Sequence, residues 1–243
     1  SFSIHELVKI LKNSEQQIFI LQGTTNSGKS ALIPFIEDIA YNSGVTEAPL
    51  LFAVSGVAAK NLLNSTETEE VNSIYSYIYG GVTEEDNVYN DSKKTDEQEK
   101  SNNPANKIKI VPLKKCSNSD NALFIVDESQ LISDDYYKSD DGLQFGSGRL
   151  LKDFLDFSEL KNKKIKIIFI GDPYQLMRGK KNESPLVPQY LEKKYEIKTE
   201  SFQLPDKEDY SLINKEVIKF VNGIRSKKFE LNLDKSENFR FIE

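Results

Sequence analysis

An octapeptide with the pattern Gly-x-x-x-x-Gly-Lys-Ser occupies residues 23–30 and restricts the fold more than any other part of the sequence. The apolar run 18–21 precedes it, and a helix-like stretch begins at Ala31. Between a strand and a helix, the two glycines let successive backbone N–H groups point at phosphate oxygens. The pattern therefore predicts a P-loop that binds a nucleoside triphosphate. A glycine-rich loop that only caps a helix is the alternative interpretation.

The P-loop pattern assigns roles to its polar positions. Lys29 is predicted to reach the β and γ phosphates, and the Ser30 hydroxyl is predicted to ligate Mg²⁺. Nucleotide binding is predicted for the loop residues as a set: Gly23, Thr25, Asn26, Ser27, Gly28, Lys29 and Ser30. The expected ligands are ATP and Mg²⁺.

Composition narrows the class of protein. The chain has 243 residues, 38% hydrophobic and 29% charged, so one large domain over residues 1–243 is expected. Cys116 is the single cysteine and His5 the single histidine, which excludes an internal disulfide and a zinc cluster. No apolar segment approaches the length of a membrane span, and a monomeric cytoplasmic protein is expected. The net charge of −6 neither supports nor excludes a nucleic-acid partner.

Short apolar runs alternate with helical patterns along the chain. The strongest runs are rich in β-branched and aromatic residues, as is typical of strands buried on both faces: 18–21, 50–54, 123–126 and 165–170. Helical spacing follows the P-loop and recurs over residues 150–155. This alternation predicts an α/β fold with a parallel sheet and right-handed crossovers. Pro34 is expected to shorten or bend the first helix, which should end near residues 42–44.

Other segments carry weaker patterns. Residues 81–107 contain too few apolar side chains to be buried and are expected to form a mobile insertion. Residues 107–113 alternate like a strand but contain a proline, which favours a sheet edge. Apolar spacing over residues 212–224 predicts a long amphipathic helix, and residues 238–243 look like a final strand.

Polar clusters follow two of the predicted strands. Asp127 and Glu128 come directly after the run 123–126, at the sheet edge where such folds bind ligands. Asp127 is predicted to hold Mg²⁺, and Glu128 to orient and activate the water that attacks the γ-phosphate. A turn or a helix cap is the alternative for this pair. Residues 171–176, Gly-Asp-Pro-Tyr-Gln-Leu, form the second cluster, for which a simple turn is the alternative.

Taken in order, the motifs at 23–30, 127–130 and 171–176 resemble motifs I, II and III in the first RecA-like domain of superfamily 1 DNA helicases, on the RecD-like branch. The resemblance covers most of the chain outside the polar insertion. It implies a RecA-like P-loop NTPase fold with helices on both faces of a parallel sheet. The implied activity is ATP hydrolysis coupled to movement along single-stranded DNA.

The same resemblance implies roles for individual residues. It places Lys29, Glu128 and Gln175 in the catalytic machinery, with Gln175 sensing the γ-phosphate. It places Asp172 at the nucleotide and in the coupling to DNA. Contacts with single-stranded DNA are implied, more weakly, by segments 55–59 and 72–76 and by the motif III tyrosine, which makes the candidates Ser55, Ala58, Tyr75 and Tyr174.

The chain departs from the family pattern at several positions. Val57 occupies a position that is usually basic, which removes an expected phosphate contact. Family members commonly carry an arginine after motif III that stabilises the transferring phosphate; here Lys207, Arg178 or neither fills that role. Gln16 and Gln17 directly precede the first strand and are poorly placed to recognise adenine.

A second RecA-like domain, which closes the site in this family, is absent before the chain ends at Glu243, so a fragment with slow turnover is expected.

Two other functions stay open. One is a small-molecule kinase, for which residues 142–148 are a candidate mobile lid. The other is a nucleotide-regulated binding module, against which the intact Glu128 argues. Tyr75, Tyr77 and Tyr79 are expected either to stack on bases or, more commonly, to be half-buried packing residues.

Overall fold

The computed structural model describes residues 7, 9, 11, 12, 15–24, 27–42, 44–46, 49–65, 70–80, 109–139 and 142–204. Within these residues one six-stranded sheet has all of its strand pairs parallel. Its strands are β1 Ile18–Gln22, β2 Pro49–Ala53, β3 Asn72–Ser73, β5 Leu123–Val126, β7 Lys166–Gly171 and β8 Thr199–Gln203. The spatial order is β3-β2-β5-β7-β1-β8. Each of the four apolar runs predicted as strands forms one, with ends shifted by one residue at most.

Helices connect most of these strands. Five α helices are α1 Ile33–Asn42, α2 Gly56–Ser65, α3 Ile74–Ile78, α4 Leu150–Phe157 and α5 Pro188–Tyr195, and residues 7, 9, 11 and 12 are also helical. Short 3-10 turns cover Ser30–Leu32, Ser129–Leu131 and Lys181–Glu183. Strand–helix alternation around a parallel sheet is the arrangement that the sequence predicts.

One face of the sheet packs against α3, α4 and α5. Alternate residues of each central strand point to this side, including Ile20, Phe124 and Phe169, and all three are fully buried. Phe154 of α4 lies among them, with its ring centroid 6.0 Å from that of Phe124 and 6.1 Å from that of Phe169. Burial of these large rings supplies much of the apolar area on this face.

The opposite face packs against α1 and α2. The other alternate strand residues point here, among them Phe19, Leu21 and Ile125, and they contact Ile36 of α1 and Leu62 of α2. Both faces of β1, β5 and β7 are therefore buried, as is typical of central parallel strands. The predicted α/β, RecA-like P-loop arrangement, with a parallel sheet and helices on both faces, is confirmed.

The start of α1 differs from the expectation for Pro34. The chain leaves the P-loop as the 3-10 turn Ser30–Leu32, and the α helix begins only at Ile33. Pro34 thus lies in the first turn of α1, where its missing N–H removes no helical hydrogen bond. The helix ends at Asn42, as predicted, and the N–H of Gly44 donates to the Tyr41 carbonyl at 3.0 Å.

A separate two-stranded parallel sheet pairs β4 Lys109–Val111 with β6 Leu143–Phe145. The strand predicted over residues 107–113 therefore does not extend the main sheet, although each strand of a two-stranded sheet is an edge. Pro112 directly follows β4, where its missing N–H does not interrupt the ladder. Part of the candidate lid over residues 142–148 is not a loop, because β6 pairs with β4 along its whole length.

Other predictions fall outside the described residues: the insertion over 81–107, the helix over 212–224 and the strand over 238–243. Within the described part, the sequence patterns missed β3, α3, β6, α5 and β8. No helix there is long and apolar enough to cross a bilayer.

Candidate nucleotide-binding site

The P-loop follows β1 and lies against the end of β7. The N–H of Gly23 donates to the Gly171 carbonyl at 3.2 Å, and the N–H of Ser27 donates to the Thr24 carbonyl at 3.1 Å. Gly28 has a φ of +85°, a left-handed conformation that a glycine adopts without strain. Thr25 and Asn26 lie outside the described residues. The described ends of the loop thus have the tight turn that the motif predicts.

The Lys29 side chain is buried inside this turn. Its ammonium donates to the carbonyl of Gly23 at 3.0 Å and to that of Thr24 at 2.8 Å. Buried ammonium groups require partners of this kind because an unpaired charge in the interior is costly. The contacts hold the cation at the centre of the loop, where the motif expects phosphate oxygens.

The Ser27 hydroxyl is also buried in the loop. It has no hydrogen-bond partner among the described residues. A buried hydroxyl without a partner loses its hydration and gains nothing in return, which costs about 1–3 kcal/mol. A phosphate oxygen seated in the loop would supply the missing acceptor, so the loop as built fits a phosphate group.

Ser30, at the end of the P-loop, and Asp127, directly after β5, lie in contact. The Ser30 hydroxyl donates to Asp127 Oδ2 at 2.8 Å. Burial raises the pKa of the Asp127 carboxyl above its ordinary value, against the lowering effects of the Ser30 hydroxyl, the Glu128 N–H and the nearby Lys29 charge. A hydroxyl and a carboxylate are the oxygen donors that Mg²⁺ takes beside phosphates. The donor set therefore fits Mg²⁺, and no cluster of three or more His, Cys, Asp or Glu residues elsewhere in the described chain offers another metal site.

Glu128 leaves the end of β5 in an unusual conformation. Its φ of 52° and ψ of 39° are left-handed, which is uncommon for a residue other than glycine. The Glu128 N–H donates to Asp127 Oδ1 at 2.9 Å. The left-handed residue turns the chain into the Ser129–Leu131 turn and leaves the Glu128 side chain only partly buried. Backbone outliers of this kind concentrate at functional sites.

The Gln130 side chain connects the polar residues after β5 with those after β7. Its side-chain amide donates to Glu128 Oε2 and, at 2.9 Å, to Gln175 Oε1. Its carbonyl oxygen Oε1 accepts from the N–H of Asp172 at 3.2 Å. The side chain is almost fully buried. One glutamine therefore contacts the residues after β5 and the residues after β7 at the same time.

The segment after β7 is folded around Asp172. This carboxylate is buried and accepts from the N–H of Tyr174 at 2.9 Å, while the N–H of Gln175 donates to the Asp172 carbonyl at 3.2 Å. These bonds form a turn that places the Gln175 side chain beside Gln130. The sequence named Gln175 and Asp172 but gave no role to Gln130, whose only sequence signal is an amide two residues after a carboxylate.

The candidate DNA contacts come from three segments of the chain. Ser55 caps α2, because its hydroxyl accepts from the Ala58 N–H at 3.2 Å, and Val57 beside it is 73% exposed. Tyr75 is half-buried in α3, and Tyr174 is exposed with the Lys181 ammonium 4.6 Å from its ring centroid. Ser55 and Ala58 are joined by that hydrogen bond, while Tyr75 and Tyr174 come from two other segments of the chain.

The neighbouring tyrosines are packing residues. The Tyr77 ring meets the Phe52 ring at a centroid distance of 5.0 Å, and the Tyr79 hydroxyl donates to Asp153 at 2.8 Å. Burial raises the Tyr79 pKa above its ordinary value, and the Asp153 carboxylate adds to that effect. Both rings are packing residues, the more common of the two expected roles, with Tyr77 half-buried and Tyr79 buried.

The candidates for a phosphate-stabilising cation and for adenine recognition have other partners. The Arg178 guanidinium lies 4.2 Å from the Tyr137 ring centroid and donates to the Tyr75 hydroxyl at 3.3 Å. Lys207 lies outside the described residues. Gln17 donates to the carbonyls of Lys163 and Ile165 at 2.7 and 3.1 Å, before β1 begins and at the end of that strand opposite the P-loop.

Solved structures of Pif1 helicases are similar to this chain. A double mutant from Bacteroides has 16% sequence identity and a TM-score of 0.48, with 93% of this chain and 46% of that chain covered. A Bacteroides sp Pif1 in complex with ADP-AlF4 has 16% identity, a TM-score of 0.44 and the same coverage of both chains. A Pif1 structure solved for DNA unwinding at forked duplexes has 14% identity, a TM-score of 0.43 and coverage of 93% and 48%.

This chain thus spans about half of the length of those helicases. No protein-family model matches the sequence, and no curated protein matches it. Function is therefore inferred from the site residues of the chain itself.

Proposed function

We propose that this chain is the ATP-binding domain of a DNA helicase or translocase that hydrolyses ATP and moves along single-stranded DNA. The observation that supports this most directly is the Gln130 side chain, which contacts Glu128 and Gln175 at once. A water-activating carboxylate and a phosphate-sensing amide need to act together in a motor, and here one buried side chain connects them. RecD-like ancestry within superfamily 1 is part of the same proposal.

ATP binding would use the groups gathered at the P-loop. Lys29 would exchange its two carbonyl partners for the β and γ phosphates, whose charge makes them stronger acceptors. The Ser27 hydroxyl would gain the acceptor that it lacks among the described residues. Ser30 and Asp127 would hold Mg²⁺, which would supply charge neutralisation at the phosphates.

Hydrolysis would use Glu128 as the group that orients and deprotonates the attacking water. The amide of Gln130 donates to one Glu128 oxygen, so the carboxylate is held in place and its other oxygen stays available as an acceptor. Gln175 would contact the γ-phosphate from the adjoining turn. Loss of that phosphate would change the partners of Gln175, and Gln130 would transmit the change to Glu128.

Coupling to DNA would run through the segment after β7. Tyr174 is exposed on this segment, and Ser55, Ala58 and Tyr75 are the other proposed contacts. Because Arg178 is engaged with two tyrosines, the cation that stabilises the transferring phosphate is proposed to come from a second RecA-like domain. The small-molecule kinase is less well supported, since its candidate lid contains the paired strand β6.

Glu128→Gln tests the proposal. The variant should bind a fluorescent ATP analogue with wild-type affinity, while single-turnover phosphate release should slow by about 10²- to 10⁴-fold, the usual contribution of a general base. Glu192→Gln on the exposed side of α5 is the matched control and should behave like wild type. Oligothymidylate should accelerate phosphate release by the wild-type chain.

Equal loss of nucleotide binding and turnover in Glu128→Gln would show that Glu128 is a structural residue. Phosphate transfer to a small acceptor, with no effect of DNA, would favour the kinase. Nucleotide binding that alters partner affinity, without any turnover, would favour a binding module.

A further inference from the structure

An aromatic cavity of about 200 Å³ lies among the segments that follow β5 and β7. Its walls come from α3, from the segment after the Ser129–Leu131 turn, from β6 and from the segment after β7. The residues that matter here are Tyr75, Tyr136, Tyr137, Phe145 and Arg178. Two of these segments follow the carboxyl ends of β5 and β7, so the cavity lies toward the same sheet edge as the P-loop.

Planar groups form the cavity wall. The Arg178 guanidinium lies over the Tyr137 ring, 4.2 Å from its centroid, and donates to the Tyr75 hydroxyl at 3.3 Å. The Tyr75 ring in turn meets the Phe145 ring edge-on at a centroid distance of 5.1 Å. Tyr137 is 53% exposed, so solvent or a ligand reaches its ring from the cavity mouth. The wall therefore offers stacking surfaces together with one cation.

The surrounding bonds fix this wall in place. The N–H of Tyr137 donates to the Gly148 carbonyl at 2.8 Å, and the Tyr136 hydroxyl donates to Gln144 of β6 at 2.6 Å. A site assembled on such contacts needs little ordering when a ligand enters, which favours affinity.

We propose that this cavity binds one nucleobase of a single-stranded nucleic acid, stacked against Tyr137 and the Arg178 guanidinium. This assignment rests on the proposed function. The volume is below the roughly 300–1,000 Å³ of pockets for drug-sized ligands, which suits one planar ring system. Ser133 and Asp135 line the cavity and offer hydrogen-bonding atoms to the edge of a base. Stacking tolerates every base, as a translocating site requires.

Arg178 lies on the same short segment as a residue of the nucleotide site. Arg178 lies three residues after Gln175 on the segment that leaves β7. A base in the pocket would contact the guanidinium, and Gln175 on the same short segment accepts from the Gln130 amide at 2.9 Å. Occupancy of the pocket and the state of the γ-phosphate would thus influence each other.

Fluorescence anisotropy with two labelled oligomers tests the pocket. One is oligothymidylate, and the other has the same length and phosphates but only abasic sugars. Tyr137→Leu should lower the preference for the oligomer with bases by about 5- to 150-fold, the effect of one lost stacking contact. Affinity for the abasic oligomer should stay the same. Arg178→Lys, which keeps the charge but removes the planar group, should lower the preference in the same direction.

Tyr41→Leu is the matched control, because Tyr41 is 58% exposed on α1 and far from the cavity in sequence and fold. Unchanged base preference in Tyr137→Leu, or equal weakening with both oligomers, would overturn the pocket while leaving DNA binding intact. If the pocket instead binds an aromatic side chain of a protein partner, Tyr137→Leu should leave the base preference unchanged, which overturns the proposal. Failure of the wild-type chain to bind either oligomer, with nucleotide binding retained, would overturn the DNA partner as well.

Discussion

Replacement of Gln130 by glutamate removes the hydrogen bonds that its side chain donates and keeps the one that it accepts. The new carboxylate has nearly the same shape and still accepts from the Asp172 N–H, which lies 3.2 Å from Oε1. It can no longer donate to Glu128 or to Gln175. Gln130→Glu therefore removes the connection between these two side chains while keeping the packing of a buried position.

The size of the effect follows from the two lost bonds. A hydrogen bond to a charged group contributes about 1.5–3 kcal/mol and a neutral one about 0.5–1.5 kcal/mol, which gives about 2–4.5 kcal/mol for the pair. If both bonds act fully in the transition state, hydrolysis slows by about 30- to 2,000-fold. Repulsion between the new carboxylate and Glu128 acts in the same direction.

Two adjoining carboxylates also give the variant a pH signature. One of them takes up a proton more readily than an isolated carboxyl, and the introduced carboxyl group, once protonated, can donate one hydrogen bond again. The activity of Gln130→Glu relative to wild type should therefore recover as the pH falls. A purely structural defect would not recover in this way.

Single-turnover phosphate release between about pH 5 and pH 8, together with binding of a fluorescent ATP analogue, measures these effects. Gln189→Glu, an exposed substitution in the first turn of α5, is the matched control and should change neither. Wild-type turnover in Gln130→Glu, or a defect in nucleotide affinity alone, would refute the role given to Gln130.

Other predictions concern binding and stability. Lys29→Ala should weaken nucleotide binding by at least about 10- to 150-fold in titration calorimetry, because a charge-assisted phosphate contact is lost; unchanged affinity would contradict the P-loop assignment. Phe154→Ala should lower the free energy of unfolding in urea by about 3–5 kcal/mol, since it empties a fully buried site; a loss under about 1 kcal/mol would show that the core collapses around it. Burial would raise the pKa of the Asp134 carboxyl, but hydrogen bonds from Tyr195, Lys194 and Tyr190 outweigh it and hold the pKa below its ordinary value. Asp134 therefore adds stability above about pH 4 that is lost as the pH falls, and Asp134→Asn should show a smaller loss of urea stability between pH 7 and pH 3 than wild type.

The sequence predicted the central sheet because its strands carry their own signal. Runs such as Leu123–Val126 are apolar on both faces, and only a buried strand accommodates that pattern. β8 carries no such signal: Thr199–Gln203 is mostly polar and forms a strand because it pairs with β1. β6 is three residues long, and its strand conformation depends on β4, a segment far away in the sequence. Tertiary pairing, which no local pattern reports, decides such elements.

The same contrast between local sequence patterns and tertiary contacts applies to the site. The contact between Ser30 and Asp127 was predictable, because both residues follow parallel strands and the carboxyl ends of those strands share one edge. The place of Arg178 was not, since it depends on rings contributed by Tyr75 and Tyr137 from two other segments. The contacts of Gln130 depend on the left-handed backbone of Glu128, which turns the chain before it.

Strand order explains why one glutamine can serve both clusters. β7 lies between β1 and β5, so the segment that carries Gln175 leaves the sheet between the P-loop and Glu128. Gly171 ends β7 there, and a Cβ at this position would lie 2.6 Å from Gln130 Oε1 and 3.3 Å from the Gln130 backbone nitrogen. A larger residue at 171 would therefore force the Gln130 side chain, and the Leu186 side chain 2.8 Å away, to shift. The glycine that begins the third motif therefore leaves the space in which the glutamine that ends the second connects Glu128 with Gln175.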